Sequence, residues 1–217
     1  INDALNNNNN NTNKHTLYIS KIIESSISFN QLLFHNTYEK CIKNIGIIAC
    51  YKHVLLEALN RIGILWLNNQ ISPTQEHFLS ELIKTKIYKE IEKIGFKKLS
   101  KENWLLFLPK KELHDIGLLF AYLTLKMNGH NVVYLGQNLP HSLLLSLKDK
   151  NKIDNILFSI VSNTSKLDLI EITNFLETNF SESKIHTIIN ENLITEERFQ
   201  KLSTISSIDE FINLITK

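Results

Sequence analysis

The sequence is poor in glycine and proline, with six and three residues of each type among 217. The last glycine is Gly136, so more than a third of the chain follows it without another. Loops that cradle phosphate groups need several glycines close together, and no Walker loop, nucleophile elbow or paired-carboxylate motif is found. These absences exclude a Gly-rich phosphate cradle, and we do not expect the chain to be an enzyme.

Cysteine is equally scarce. Cys41 and Cys50 lie nine positions apart in a helical region, a spacing that fits neither a metal knuckle nor a disulfide framework. We therefore predict two buried thiols in a reducing compartment. No apolar run approaches the ~20 residues that span a bilayer, and no signal peptide is visible, so we expect a cytoplasmic protein without membrane contact.

A dense stripe of basic residues is also missing. Residues 1–100 carry a net charge of +4 and residues 101–217 a net charge of −2. Binding to nucleic acid requires clustered lysine and arginine side chains on one face. If the protein acts on DNA, its DNA-binding domain lies outside this sequence.

Asparagine is concentrated at the beginning, where Asn6 to Asn11 form an uninterrupted tract. Such a tract cannot bury apolar surface, so we predict that residues 1–15 are a disordered linker. The first residue is Ile rather than Met, which suggests a fragment of a longer protein.

Residues 16–97 have helical periodicity and are predicted to form a four-helix bundle. The predicted helices cover residues 16–30, 32–45, 47–69 and 73–94. The last has a clear start signal, because Ser72 suits the N-cap, Pro73 the first helical position and Gln75 a capping box.

Residues 98–217 alternate short apolar runs with helix-length stretches, which predicts a parallel sheet with right-handed crossovers. The runs are continuous rather than alternating, as expected for strands covered on both faces. Strands are predicted at 103–108, 131–135, 153–161 and 184–189, with a weak fifth at 202–205. Helices are predicted at 115–128, 140–149, 166–179, 194–200 and 207–216.

The motif Glu112-Leu113-His114-Asp115-Ile116-Gly117 lies between the first strand and its helix. A histidine there sits at the carboxyl edge of a parallel sheet, where α/β folds place ligands. Glu112 is able to orient the imidazole through its second nitrogen. A single histidine in such a loop is commonly structural, but with no zinc-type partners nearby it suits an axial ligand to a metal held by a macrocycle.

The helical part holds a second group, Trp66 followed after nine residues by Glu76-His77. A short turn between two helices is expected to bring them to one rim. The alternative is a core tryptophan and a carboxylate that complements the helix dipole. His130 and His141, near element starts, are interpreted as capping or surface residues, and Trp104 as a core residue.

The combination W-x9-E-H in a bundle followed by E-x-H-x-x-G in an α/β domain resembles the cobalamin-binding region of light-responsive MerR-type transcriptional regulators (CarH/LitR-like). The resemblance covers residues 16–216 and includes Ser159-Ile160-Val161 at the end of the third strand. It implies a helical cap followed by a flavodoxin-like (Rossmann-type) five-stranded parallel sheet of the cobalamin-binding type.

The resemblance also implies roles for individual residues. His114 would bind cobalt as the lower axial ligand, with Glu112 and Asp115 as polar partners. Gly117 and the Ser159–Val161 motif would meet the displaced nucleotide tail. The remaining residues would contact the adenosyl group of adenosylcobalamin from above: Trp66, Glu76 and His77. The implied partners are further copies of the chain, as a dimer or tetramer, and operator DNA through an N-terminal domain absent from this sequence.

Two positions depart from the family pattern. Asn190-Glu191 stand where cobalamin-binding domains normally carry Gly-Gly, and Leu67 replaces the usual histidine after the tryptophan. Two alternatives to the regulator therefore remain open. The fold has lost cobalamin and serves as a differently liganded or ligand-independent oligomerisation module, or the chain is the corrinoid shuttle protein of a methyltransferase.

Overall fold

The computed structural model describes residues 2–95, 101–148, 150, 152–161, 165–189 and 201–216, and for residues 2–13 only the backbone. Packing divides the chain into two compact units, Ile1–Lys86 and Ile87–Lys217. The division falls within a helix rather than near residue 97, where the composition changes. Among the described residues, no helix has the length and apolarity to cross a membrane.

The first unit is helical. Its elements are α1 (Asn2–Ile27), α2 (Gln31–Cys50), a π-helical turn (Tyr51–Leu55), α3 (Leu56–Leu67) and α4 (Pro73–Ile94), whose last two turns belong to the second unit. α1 begins at Asn2, so the tract that we predict to be a linker is helical here. A helix formed by the amphipathic residues downstream extends readily, because each added residue gains one hydrogen bond.

The predicted break between residues 45 and 47 is present. Gly46 has φ 78° and ψ 165°, which interrupts α2, and only glycine adopts such a conformation without strain. The structure adds a π-helical turn that the sequence pattern does not indicate. Cys41 and Cys50, on either side of Gly46, are buried free thiols, as predicted.

The start of α4 is stabilised largely as predicted. Ser72 N–H donates to Gln75 Oε1 at 2.8 Å, one half of a capping box, while Ser72 Oγ accepts from Thr74 N at 3.1 Å. The Gln75 amide also donates to Ile27 O at 3.0 Å and thereby joins α4 to the end of α1. The bundle core contains the fully buried Ile22, Val54, Ile62, Leu79 and Ile83.

The second unit is an α/β domain whose five strands are all parallel, in the order β2-β1-β3-β4-β5. The strands are β1 (Asn103–Phe107), β2 (Asn131–Tyr134), β3 (Asn155–Ile160), β4 (Lys184–Ile189) and β5 (Leu202–Thr204). The helices are α5 (Ile116–Met127), α6 (Lys166–Asn179) and α7 (Ile208–Ile215). All five predicted strands and the flavodoxin-like arrangement are confirmed.

Two crossovers need separate comment. The helix predicted at 140–149 is a 3-10 helix, His141–Leu147, and the helix predicted at 194–200 lies outside the described residues. α6 begins with a complete capping box, in which Ser165 Oγ accepts from Asp168 N and Asp168 Oδ2 accepts from Ser165 N. Ser165 Oγ also donates to Asp168 Oδ2 at 2.7 Å, and this hydrogen bond, followed by the one from Ser165 N, holds the pKa of Asp168 below its usual value.

Both faces of the sheet are covered. One face packs Leu105, Phe107, Ile156 and Phe158 against the apolar side of α6, and the other packs Trp104, Leu106 and Leu157 against α5 and α7. This double burial explains the continuous apolar runs. It also leaves the carboxyl edge of the strands as the place where polar loops meet.

Candidate functional site at the carboxyl edge of the sheet

The strand order reverses at β1, which lies between β2 and β3. In doubly wound sheets the two neighbouring strands at such a reversal, here β1 and β3, are followed by loops that leave toward opposite faces. The loops open a crevice that ligands occupy. Here those loops are residues 108–115 after β1 and the segment that begins at Val161 after β3. The predicted motif therefore lies at the switch point of the sheet.

Glu112 organises this crevice. Its side chain is 1% exposed, and its carboxylate accepts hydrogen bonds from four N–H groups. Oε1 accepts from the backbone N–H groups of Leu113 and His114 at 2.9 and 3.0 Å and from His114 Nδ1 at 2.7 Å. Oε2 accepts from the backbone N–H of Val161 at 2.8 Å. One carboxylate thus joins the loop after β1 to the loop after β3.

His114 is placed by this carboxylate. Because a carboxylate only accepts, Nδ1 carries the ring proton, and Nε2 is left with the lone pair. The side chain is 65% exposed. The expected contact between Glu112 and the second ring nitrogen is thus present, and the imidazole offers one oriented nitrogen to a ligand.

Asp115 occupies the N-cap position of α5 and is 9% exposed. It lies close enough to Tyr134, at the end of β2, to influence its titration: burial raises the pKa of Tyr134, and the nearby Tyr88 and Asp115 raise it further. Tyr122 stacks on Tyr134 with ring centroids 5.2 Å apart. Asp115 and these rings lie beside the loop that carries His114.

Three further predicted residues lie at the same edge. A Cβ built on Gly117, in the first turn of α5, would meet no atom of the described residues within 4 Å outside its own helix, so the described part of the chain leaves space beside it. Ser159, near the end of β3, is 5% exposed, whereas Val161 is 40% exposed. The structure therefore brings Glu112, His114 and Val161 together directly and places Gly117 and Ser159 on the elements that flank them.

The second predicted group belongs to the helical unit. Trp66, in the last turn of α3, is 45% exposed, and Leu67 beside it is 75% exposed. Glu76 and His77 lie in the first turns of α4, with His77 Nδ1 3.6 Å from Glu76 Oε2. Trp66 is therefore not a core residue of its unit. The Asn190-Glu191 pair lies outside the described residues.

The link from Glu112 to Val161 is the feature that residue types do not reveal. A backbone N–H has the same chemistry at every non-proline position, so the residue type at position 161 does not predict this hydrogen bond. Only the parallel pairing of β1 with β3 brings the two loops together.

Comparison with known proteins finds a matching family model and similar solved structures. Residues 18–89 match the family model described as the B12 binding domain. The monomethylamine corrinoid protein of Methanosarcina barkeri has a similar structure, with a TM-score of 0.72 at 14% identity over 90% of this chain and 95% of that one. No curated protein matches the chain.

Two other solved structures are more distant. The methanol:cobalamin methyltransferase complex MtaBC of Methanosarcina barkeri gives a TM-score of 0.47 at 16% identity, covering 91% of this chain and 77% of that one. A cobalamin-binding protein from Desulfitobacterium hafniense DCB-2 gives 0.39 at 15% identity, covering 81% and 86%.

These findings show a match to the B12 binding domain model within the helical part and a fold similar to that of a corrinoid protein. They give no evidence for the regulator implied by the W-x9-E-H and E-x-H-x-x-G motifs.

Proposed function

We propose that this chain binds a corrinoid and that His114 supplies the protein ligand to its cobalt. The observation that carries the proposal is the contact of 2.7 Å between Glu112 and His114 Nδ1 at the switch point of the sheet. A carboxylate behind an imidazole fixes its tautomer and increases the basicity of the other nitrogen, as in many metal sites.

The donor set fits this group. Among the described residues no cluster of three or more His, Cys, Asp or Glu side chains is able to hold a metal ion alone. A metal that already has four macrocycle nitrogens needs only one axial ligand from the protein. His114 provides one oriented nitrogen, and the open space at Gly117 leaves room beside it.

The residues of this chain would bind the cofactor and orient the group that holds its metal. His114 Nε2 would ligate the metal, Glu112 would hold the imidazole and its proton at Nδ1, and the backbone of Val161 would fix the carboxylate from the opposite loop. A bound corrinoid supplies a metal centre that accepts and releases alkyl groups. No described residue is needed as a nucleophile or general base.

We further propose that the chain is the corrinoid-carrying component of a methyl-transfer system rather than an enzyme itself. Support comes from its similarity to the monomethylamine corrinoid protein over 95% of that chain. A carrier needs to bind the cofactor and to present it to its partners. The similarity to the corrinoid protein covers 90% of this chain and therefore includes parts of both the helical and the α/β unit.

A cobalamin-dependent regulator is the second candidate, favoured by the exposed Trp66 at the end of α3, followed by Glu76 and His77. A tryptophan that is not buried in its own unit is available to cover an adenosyl group. In that case homo-oligomers would form with adenosylcobalamin in the dark, and DNA binding would require a domain outside this sequence.

Binding is tested by mixing the full chain with hydroxocobalamin, removing free cofactor by gel filtration, and recording the visible spectrum. We expect retained corrinoid in the original protein and loss or a changed spectrum for His114→Ala, with His141→Ala as the matched control. Electron paramagnetic resonance of the cobalt(II) form, with histidine labelled by nitrogen-15, shows whether an imidazole is the ligand. Absence of corrinoid from the original protein would refute the proposal.

The two candidates are then separated with the loaded protein. Uptake of a methyl group from a methylated donor in the presence of a partner methyltransferase supports the carrier. A change of oligomeric state with adenosylcobalamin that is reversed by light, with no methyl uptake, supports the regulator instead.

A further inference from the structure

A polar cluster lies inside the otherwise apolar face that α5 and α7 cover. We call Trp104, His130, Asn155 and His186 the indole cluster. All four residues are buried, between 1% and 4% exposed. Trp104 belongs to β1, Asn155 to β3 and His186 to β4, while His130 directly precedes β2. The cluster is far along the strands from the predicted ligand site, because Trp104 and Asn155 lie near the amino ends of β1 and β3.

Trp104 is the centre of this cluster. His186 stacks on the indole, with ring centroids 5.3 Å apart and planes inclined by 22°. His130 meets the indole edge-on at 6.0 Å, and Phe211 of α7 does so at 6.2 Å. A change in charge at His186 therefore acts directly on the indole ring against which Phe211 of α7 packs.

His130 connects the cluster to α7 directly. Its Nε2 donates to Ile215 O, in the last turn of α7, at 3.0 Å. The sequence favours a capping or surface role for His130 at the start of its own element, but the residue is buried and contacts the last turn of α7 instead. Phe211 and Ile215, the two buried residues of α7, both meet the cluster.

Each imidazole uses only one of its ring nitrogens for a hydrogen bond among the described residues. His130 Nε2 and His186 Nε2 are the donors, to Ile215 O and to Asn155 Oδ1 at 3.2 Å. Among the described residues the other ring nitrogens, both Nδ1 atoms, have no hydrogen-bond partner, and neither has Trp104 Nε1. A proton added at Nδ1 of His186 would place an unpaired charge in the core, which is strongly unfavourable.

We propose that the indole cluster is an acid-sensitive latch that holds α7 on the sheet and opens when His186 is protonated. Water reaches the imidazole most easily if α7, which has only two turns, detaches from the sheet and removes its side chains Phe211 and Ile215 from the cluster. Local opening of one short element costs less free energy than unfolding the sheet. The strands should therefore stay folded when α7 is released.

The charged groups around His186 are consistent with this behaviour. Burial, together with a smaller effect of the positive charge of Lys184, lowers the pKa of His186 to about 4, and Glu102 opposes the shift. From α5 and α7 this face receives apolar side chains, including Leu125, Phe211 and Ile215. The closed state is thus favoured fully above the ordinary histidine pKa of about 6.5, and the preference is lost as pH falls from there toward about 4.

Amide hydrogen exchange of the full chain, corrected for the intrinsic effect of pH, tests the latch. Between pH 7 and pH 4.5 we expect exchange in α7 to rise by tens-fold relative to β3, on the order given by this linkage. His186→Gln keeps a donor to Asn155 and cannot titrate in this range, so its α7 exchange should change little. His141→Gln removes a histidine outside the cluster and should behave like the original protein.

Fluorescence provides a second readout. In a Trp66→Phe background Trp104 is the only tryptophan, and protonation of the stacked imidazole should quench its emission over the same pH range. The latch is refuted if α7 and β3 lose protection together in the original protein, or if His186→Gln opens at the same pH. The first comparison needs no variant, so it stands even if His186→Gln fails to fold.

Discussion

Glu112 and Lys86 are buried charged residues whose burial is explained by their partners. Glu112 has four N–H donors around one carboxylate. Lys86 is 7% exposed, and its Nζ lies 2.6 Å from His35 Nδ1 and 3.1 Å from Glu39 Oε1, above the ring of Tyr38. Lys86 is stabilised by groups about 50 positions away, whereas Glu112 has three donors within two residues and one, from Val161, that is distant in the sequence.

The substitution Glu112→Gln tests the carboxylate. An amide offers one oxygen and a donor NH2 group, so one of the opposing N–H groups would face another donor. We expect corrinoid affinity to fall by about 10–100-fold, the usual effect of losing a partner that orients a metal ligand. Equilibrium titration followed by absorbance measures this, and Glu171→Gln, on the exposed side of α6, should have no effect. Unchanged affinity in Glu112→Gln would show that the carboxylate only supports the loop.

The substitution Glu39→Gln tests the tie between α2 and α4. It removes the negative charge nearest to Lys86 while His35 remains, so we expect a loss of about 1–2 kcal/mol in the free energy of unfolding. The matched control is Glu57→Gln, which removes an exposed ion pair with Arg61 and should cost at most about 0.5 kcal/mol. Urea unfolding followed by circular dichroism distinguishes them, and equal costs would contradict the argument.

At the scale of elements, helices and strands follow local pattern closely. The break at Gly46, the start of α4 and the five strands are all visible in the sequence. The π-helical turn Tyr51–Leu55 and the 3-10 helix His141–Leu147 are not. Apolar spacing distinguishes helix from strand, but the choice among helix types depends on how neighbouring elements pack.

A pair of glycine substitutions tests the backbone argument. Gly46→Ala puts a side chain at φ 78°, so we expect a loss of about 1–3 kcal/mol although no atom lies within 4 Å of the new Cβ. Gly63→Ala, inside α3 with equal space, should gain about 0.5–1 kcal/mol because alanine favours the helix. Denaturant unfolding measures both, and effects of the same sign would show that backbone conformation is not the cause.

At the scale of the whole molecule, each unit has its own core, and the proposed metal ligand belongs to the second. A ligand that binds only the folded state stabilises it by mass action. Corrinoid at 100 times its dissociation constant should therefore raise the free energy of unfolding by about 2.7 kcal/mol.

Gly117→Leu separates folding from binding at this scale. Leucine favours a helix over glycine, and a Cβ at this position meets no atom of the described residues within 4 Å outside its helix, so stability without ligand should be unchanged or higher. If the cofactor occupies that space, the ligand-dependent rise in the unfolding midpoint should disappear, with affinity reduced by about tenfold or more, equivalent to about 1.4 kcal/mol. Thermal unfolding with and without hydroxocobalamin is the measurement, and a preserved rise would place the cofactor elsewhere.

The sequence by itself determined the alternation of elements, the helical unit, the parallel sheet and the contact between Glu112 and His114, which are two residues apart. These depend on periodicity and short-range geometry. The tertiary structure decided the link from Glu112 to Val161, the tie of Lys86 to α2 and the indole cluster, because each joins residues about 30 to 85 positions apart through the order of strands and helices. A backbone donor or a buried neutral imidazole has no signature in the sequence, since its role is set by what the fold places beside it.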